Sequence, residues 1–128
     1  MAARRSRVLL ADDDHTVRAL LAATLGREFD VVAQATDALQ AIDLARRFRP
    51  DAALVDLNMP GGGGRTAVPG IVAASPETAI VVISSDDEDS IVRELMIGGA
   101  IAYVRKGADP SETLRRAIVA HADPALDA

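Results

Sequence analysis

The sequence predicts a doubly wound α/β fold with a five-stranded parallel sheet and helices on both faces. Short runs rich in Val, Leu and Ile are too brief for helices and too continuous for strands with one wet face. Helical stretches with apolar faces alternate with them, giving five β-α units whose crossovers are right-handed. Four of the apolar runs also end in a polar mark. Val8-Leu9-Leu10 leads to Asp12-Asp13, and Ala52-Ala53-Leu54-Val55 to Asp56. Ile80-Val81-Val82-Ile83 leads to Ser84, and Ile101-Ala102-Tyr103-Val104 to Lys106. The carboxyl ends of parallel strands converge on one crevice, so these marks become neighbours. The pattern alone does not give the strand order.

After the first strand, Asp14 suits the N-cap of a helix whose apolar face is Val17, Leu20, Leu21, Ala23 and Leu25. Asp37 and Gln40 have capping-box spacing ahead of a second helix carrying Leu39, Ile42, Leu44 and Ala45, with Arg46 and Arg47 near its end. Gly61 to Gly64 and Pro69-Gly70 predict a short third helix beginning near Pro69, which suits a first turn. The glycine run lacks the Lys-Ser/Thr of a phosphate-binding loop and reads as loop flexibility. Ser85 with Glu88 opens the fourth helix, marked by Ile91, Val92, Leu95 and Met96. Asp109 with Glu112, and Pro110 between them, open the fifth, marked by Leu114, Ala117, Ile118 and Val119. Residues 122–128 read as a tail or the start of a linker.

At 128 residues the chain fits one domain, residues 1–128, with its core at about 7–121. Cysteine is absent, which excludes disulfides and thiolate metal sites. A net charge of −5 argues against this segment binding nucleic acid directly. No apolar stretch approaches the roughly 20 residues of a membrane span. The expectation is a soluble cytoplasmic domain with no membrane partner.

Each mark has a plain reading and a chemical one. Three adjacent carboxylates, Asp12-Asp13-Asp14, exceed what capping needs, and they repel unless a cation neutralises them. Oxygen donors alone suit Mg²⁺. Asp56, in Asp-Leu-Asn-Met-Pro, is either a turn residue, a ligand, or a nucleophile forming an acyl phosphate. Ser84 either caps a helix or donates to a phosphoryl oxygen. Lys106 is either a solvated charge or a partner of Asp56 and its phosphoryl group. Tyr103 in a strand is more often packing than switch. His15 reads as a helix-start residue, and His121 closes the last helix.

Together the marks resemble the receiver domain of bacterial two-component response regulators, over about residues 7 to 121. The matching residues are Asp12-Asp13, Asp56 in its Asp-Leu-Asn-Met-Pro setting, Ser84, and Tyr103-Val-Arg-Lys106. The resemblance implies a CheY-like, flavodoxin-like three-layer sandwich with strand order 2-1-3-4-5. It implies Asp56 as phosphoacceptor, and Mg²⁺ held by Asp13, Asp56 and the backbone carbonyl of Asn58, with Asp12 acting through water. Ser84 and Lys106 would contact the phosphoryl group, and Tyr103 would follow Ser84 as the switch. The implied donor is a sensor histidine kinase. The implied output face is the fourth helix, fifth strand and fifth helix, meeting an output domain or a second copy. Asn58 and Asp86 stand where the family tunes hydrolysis, and their polarity implies relatively fast loss of phosphate. Ser85 beside the switch would narrow phosphodonor access slightly.

Lys106 is followed by Gly107, where many receivers have a cis proline, and Lys-Gly-Ala-Asp-Pro-Ser-Glu is closer to the NarL/LuxR subfamily. Members of that subfamily often carry a C-terminal helix-turn-helix, so the expectation is a stand-alone receiver or a segment of a longer transcription regulator. Two other readings compete. A haloacid-dehalogenase-type phosphatase also uses Mg²⁺ and an Asp after a strand, but wants a second Asp where Asn58 stands. A receiver that binds partners without phosphorylation would not need the full set of marks. The expectation is therefore a signalling switch rather than an enzyme, one that assists its own phosphorylation and dephosphorylation.

Overall fold

Strands and helices alternate along the residues that the computed structural model describes, 4–85 and 89–122. The order is β1 (Arg7–Ala11), α1 (His15–Leu25), β2 (Asp30–Ala35), α2 (Ala38–Phe48), β3 (Ala52–Asp56), α3 (Gly63–Ala74), β4 (Ala79–Ser84), α4 (Asp89–Ile97), β5 (Ala102–Arg105) and α5 (Ser111–Ala122). All four strand pairings are parallel, in the order β2-β1-β3-β4-β5. Strand β2 lies at an edge and buries only Ala35 fully. It therefore has a weaker apolar signature than β1, β3 and β4.

Alternation along the central strands builds two cores. Leu9, Ala11, Ala53, Val55, Ile80 and Val82 face α2, α3 and α4. Val8, Leu10, Ala52, Leu54, Val81 and Ile83 face α1 and α5, where Leu25, Phe29, Leu114 and Ala117 meet them. A period of two places successive side chains on opposite faces, so a continuous apolar run satisfies both layers.

The helix ends follow local chemistry. Asp14 Oδ1 accepts from Val17 N at 3.1 Å, and Asp37 Oδ1 accepts from Gln40 N at 2.7 Å. Gln40 Oε1 reaches back to Thr36 N at 2.7 Å, one residue before the position a capping box would use. Asp109 Oδ1 accepts from Ser111 N at 2.9 Å, while Glu112 pairs with Arg116 at 3.0 Å. Glu88 lies outside the described residues. Two arginines, one before β1 and one at its start, cap from a distance. Arg5 Nη2 donates to Gly26 O at 2.7 Å, and Arg7 Nη1 to Phe48 O at 2.7 Å, at the carbonyl ends of α1 and α2. Arg49, in the left-handed region at φ 44°, ends α2 before Pro50.

Three expectations need correction. Helix α3 begins at Gly63, with Pro69 inside it rather than at its start. The glycine run is a constrained turn and not a flexible loop. Gly62 and Gly63 take φ of 104° and 60°, and Leu57 O accepts from Gly64 N at 2.9 Å. A Cβ on Gly63 would collide with that carbonyl. The glycines start the helix early, and the exposed side of Pro69 lets the helix tolerate it. The apolar helix faces also shift. Leu20 and Leu39 are each 66% exposed, and Val119 is exposed too. Alanines 38, 41 and 45 form the buried stripe of α2, because small residues let the helix approach the sheet and its neighbour α3.

Candidate functional site

The ends of β1, β3 and β4 bring the predicted marks together. Asp12, one residue beyond β1, is held by its N–H to Ala35 O at the end of β2, at 3.0 Å. Its Oδ1 accepts from Asp14 N at 2.9 Å, closing a local turn. Asp56 is the last residue of β3 and is 1% exposed, with Oδ1 accepting from Asn58 N at 3.3 Å. Asp13 is exposed at the rim. Ligand-capable oxygens of Asp12, Asp13 and Asp56 lie within 4.8 Å of one another.

Lys106 comes in from the next connection. Its N–H donates to Ser84 O at 2.9 Å, which sets it beside the end of β4. Its Nζ stands 3.5 Å from Asp56 Oδ2, an ion pair longer than an ordinary hydrogen bond. Ser84 is buried at the end of β4, one residue past Ile83, the register partner of Asp56. Tyr103 sits on edge strand β5 and is 48% exposed, so it is not a core residue. Gly107 has φ 90°, a conformation closed to proline, which accounts for glycine at this position. Asp86 lies outside the described residues.

The electrostatics of the pocket are strained without a cation. Burial, and then the charge of Asp12, raise the Asp56 carboxyl to a pKa of about 6; the Asn58 N–H and Lys106 oppose this. Burial also raises Asp12, against the Asp14 N–H and Lys106. Among the described residues, Asp12 Oδ2 and Asp56 Oδ2 are buried with no hydrogen-bond partner. Two buried acceptor atoms with unspent lone pairs, beside a third carboxylate at the rim, suit a hard divalent cation with oxygen ligands.

Sequence reasoning missed one contributor. Arg18, in the first turn of α1, donates from Nη1 to Asp12 O at 2.8 Å. A cation six residues after the first acidic mark, on the side of α1 that returns over the strand end, was the available signal.

A doubly wound domain with a buried acidic pocket and a lysine at its strand ends is the receiver architecture, and the comparisons agree. The chain belongs to the response regulator receiver family: the family model for the response regulator receiver domain matches residues 8–118. It is 34% identical over 111 residues to the response regulator GacA of Pseudomonas aeruginosa, covering 85% of this chain and 52% of GacA. The chain thus spans about half the length of such curated relatives. The receiver domain of NarL from Mycobacterium tuberculosis superposes with a TM-score of 0.83 at 26% identity, covering 94% of this chain and 99% of that one. A receiver domain from a Pseudomonas aeruginosa sensor histidine kinase shares the fold, with a TM-score of 0.79, 24% identity, and coverage of 91% and 99%. That structure is described with a magnesium ion coordinated in its active site cleft.

Proposed function

We propose that Asp56 is the phosphoacceptor of this receiver and that Mg²⁺ is held beside it by Asp13, Asp56 and the carbonyl of Asn58, with Asp12 acting through water. The observation that carries this reading is the buried Asp56 carboxylate, 3.5 Å from Lys106 and within a cluster whose inner oxygens lack hydrogen-bond partners among the described residues. With a pKa near 6, Asp56 is ionised at neutral pH yet more basic than a solvated carboxylate. Its oxygen attacks the phosphorus of a kinase phosphohistidine. A P–O bond forms, the P–N bond breaks, and the imidazole leaves, taking a proton from solvent. Bound Mg²⁺ supplies charge neutralisation of the phosphoryl oxygens.

Lys106 then pairs with the new phosphoryl group, and Ser84 donates a hydrogen bond to it. Tyr103 follows Ser84 inward, which shifts the population of a two-state α4–β5–α5 face. Met96, Ile97, Tyr103 and Val119 give that face exposed apolar contacts for an output domain or a second copy. A sensor histidine kinase is the donor, and residues 1–128 act as one receiver unit in the cytoplasm. Among the described residues no helix is long and apolar enough to cross a membrane. The phosphatase and phosphorylation-independent readings have no observation in their favour, with Asn58 in place of a second Asp and every receiver mark present.

Incubation with Mg²⁺ and acetyl phosphate, read by intact mass, tests the reading. One phosphoryl group is expected on the wild type and none on Asp56→Asn. Modification that survives Asp56→Asn, or turnover of many phosphate esters without a stable adduct, sinks the proposal. In the same assay, bulky apolar replacements at Asn58 and Asp86 lengthen the adduct lifetime if these side chains orient the hydrolytic water.

A further inference from the structure

The peptide linking Asp12 to Asp13 is gripped from α1. Its carbonyl, Asp12 O, accepts from Arg18 Nη1 at 2.8 Å, and the contact is partly buried. The other end of Asp12 is fixed by its N–H to Ala35 O at 3.0 Å. Arg18 itself is held at its backbone, with its N–H on Asp14 O at 2.9 Å. Its Nη2 lies 3.4 Å from His15 Nδ1, which accepts when unprotonated. The guanidinium is thus a brace between the first turn of α1 and the peptide plane from which Asp13 projects.

That plane decides where the Asp13 carboxylate stands, because rotating the peptide swings Asp13 against Asp12 and Asp56. Two opposing effects are expected from the same side chain. As a brace, Arg18 preorganises the oxygens for a cation. As a positive charge near the pocket, it opposes the cation directly. The charge is spread over a planar group already hydrogen-bonded on two sides, and half-exposed positions screen such repulsion. Groups that orient metal ligands typically govern affinity by 10- to 100-fold.

We infer that Arg18 is a positioning residue for the divalent-cation site, acting through the Asp12–Asp13 peptide. The inference rests on the acidic cluster being a cation site, as proposed above.

Mg²⁺ titrations followed by calorimetry and amide NMR at fixed pH separate the two roles. Arg18→Met removes donor and charge, Arg18→Gln keeps a donor without charge, and Arg18→Lys keeps both on a flexible stem. Arg18→Met is expected to weaken Mg²⁺ binding about tenfold, with the melting temperature without Mg²⁺ nearly unchanged. Arg18→Gln is expected to recover part of the loss. Unchanged or tighter binding in Arg18→Met overturns the inference, and so does a Gln variant no better than Met. If Arg18→Met does not fold, Gln against Lys decides. Binding weaker than wild type in both supports the brace, whereas Gln binding as tightly as wild type, or more tightly, overturns it. Wild-type protein that binds no Mg²⁺ removes the parent site and this inference together. Wild-type binding with indifferent Arg18 variants removes this inference alone.

Discussion

The strand-end pocket and the α4–β5–α5 flank are built on opposite principles. In the pocket, Asp12, Asp56 and Ser84 are polar and buried, each held at the end of a central strand. On the flank, Met96, Ile97, Tyr103 and Val119 are apolar and exposed, on an edge strand and two helices. Each arrangement costs free energy in isolation: charge without water in one place, hydrocarbon in water in the other. A domain that keeps both is poised for an added ligand or partner to relieve them. Lys106 joins the two regions, since it directly follows β5 of the flank while its ammonium faces Asp56.

The largest expected effect comes from relieving the pocket. The Asp56 carboxyl titrates at about 6 when folded, against an ordinary value of 3.8. Its protonated form is favoured in the folded state, so its contribution to stability is full below about 3.8 and is lost as pH rises through about 6. Without metal at pH 8, Asp56→Asn should therefore be more stable than the wild type, by up to on the order of 3 kcal/mol. The difference should shrink towards pH 4, and Mg²⁺ should stabilise the wild type more than the variant. Urea unfolding across that pH range checks this, and a variant less stable than wild type at pH 8 would contradict the charge-strain account.

A smaller effect is expected in α3, which borders the pocket through its glycine start. Pro69 occupies the interior of this helix, where proline lacks the N–H that would bond Arg65 O. Pro69→Ala should stabilise by about 1–3 kcal/mol, since the residue is exposed and no core contact is lost. A lower unfolding midpoint would show that the helix depends on its proline bend.

The smallest effect belongs to the flank. Ile97 is 84% exposed at the end of α4, so Ile97→Ser should change stability by less than about 0.5 kcal/mol. Its consequence should be seen in phosphorylation-dependent association measured by sedimentation or light scattering. A loss above about 1 kcal/mol would mean that the flank is already packed, and the contrast with the pocket would fail.

Much of the site was legible because its chemistry is local. Acidic, hydroxyl and ammonium residues directly after apolar runs need only the rule that parallel strand ends converge. Asp14, Asp37 and Asp109 were legible as caps for the same reason, each bonding an N–H two or three residues on. Residues whose role depends on another element were harder to see. Leu20 and Leu39 fit an amphipathic pattern, yet each falls beside the contact stripe that packing selects. The glycines looked flexible because left-handed φ and the Leu57 carbonyl are invisible until the turn is closed.

The sequence by itself determined the alternation of strands and helices, the two-sided burial of the sheet, and the identity of the polar groups at its edge. Periodicity and nearest-neighbour chemistry are sufficient for those. Only the tertiary structure decided that α1 and α5 share one face while α2, α3 and α4 share the other. It also decided that Arg18 reaches Asp12 O, that Lys106 stands 3.5 Å from Asp56, and that Asp12 Oδ2 and Asp56 Oδ2 have no hydrogen-bond partner among the described residues. These depend on distances between segments far apart in the chain or on the return of a helix over its own strand, which no local pattern specifies.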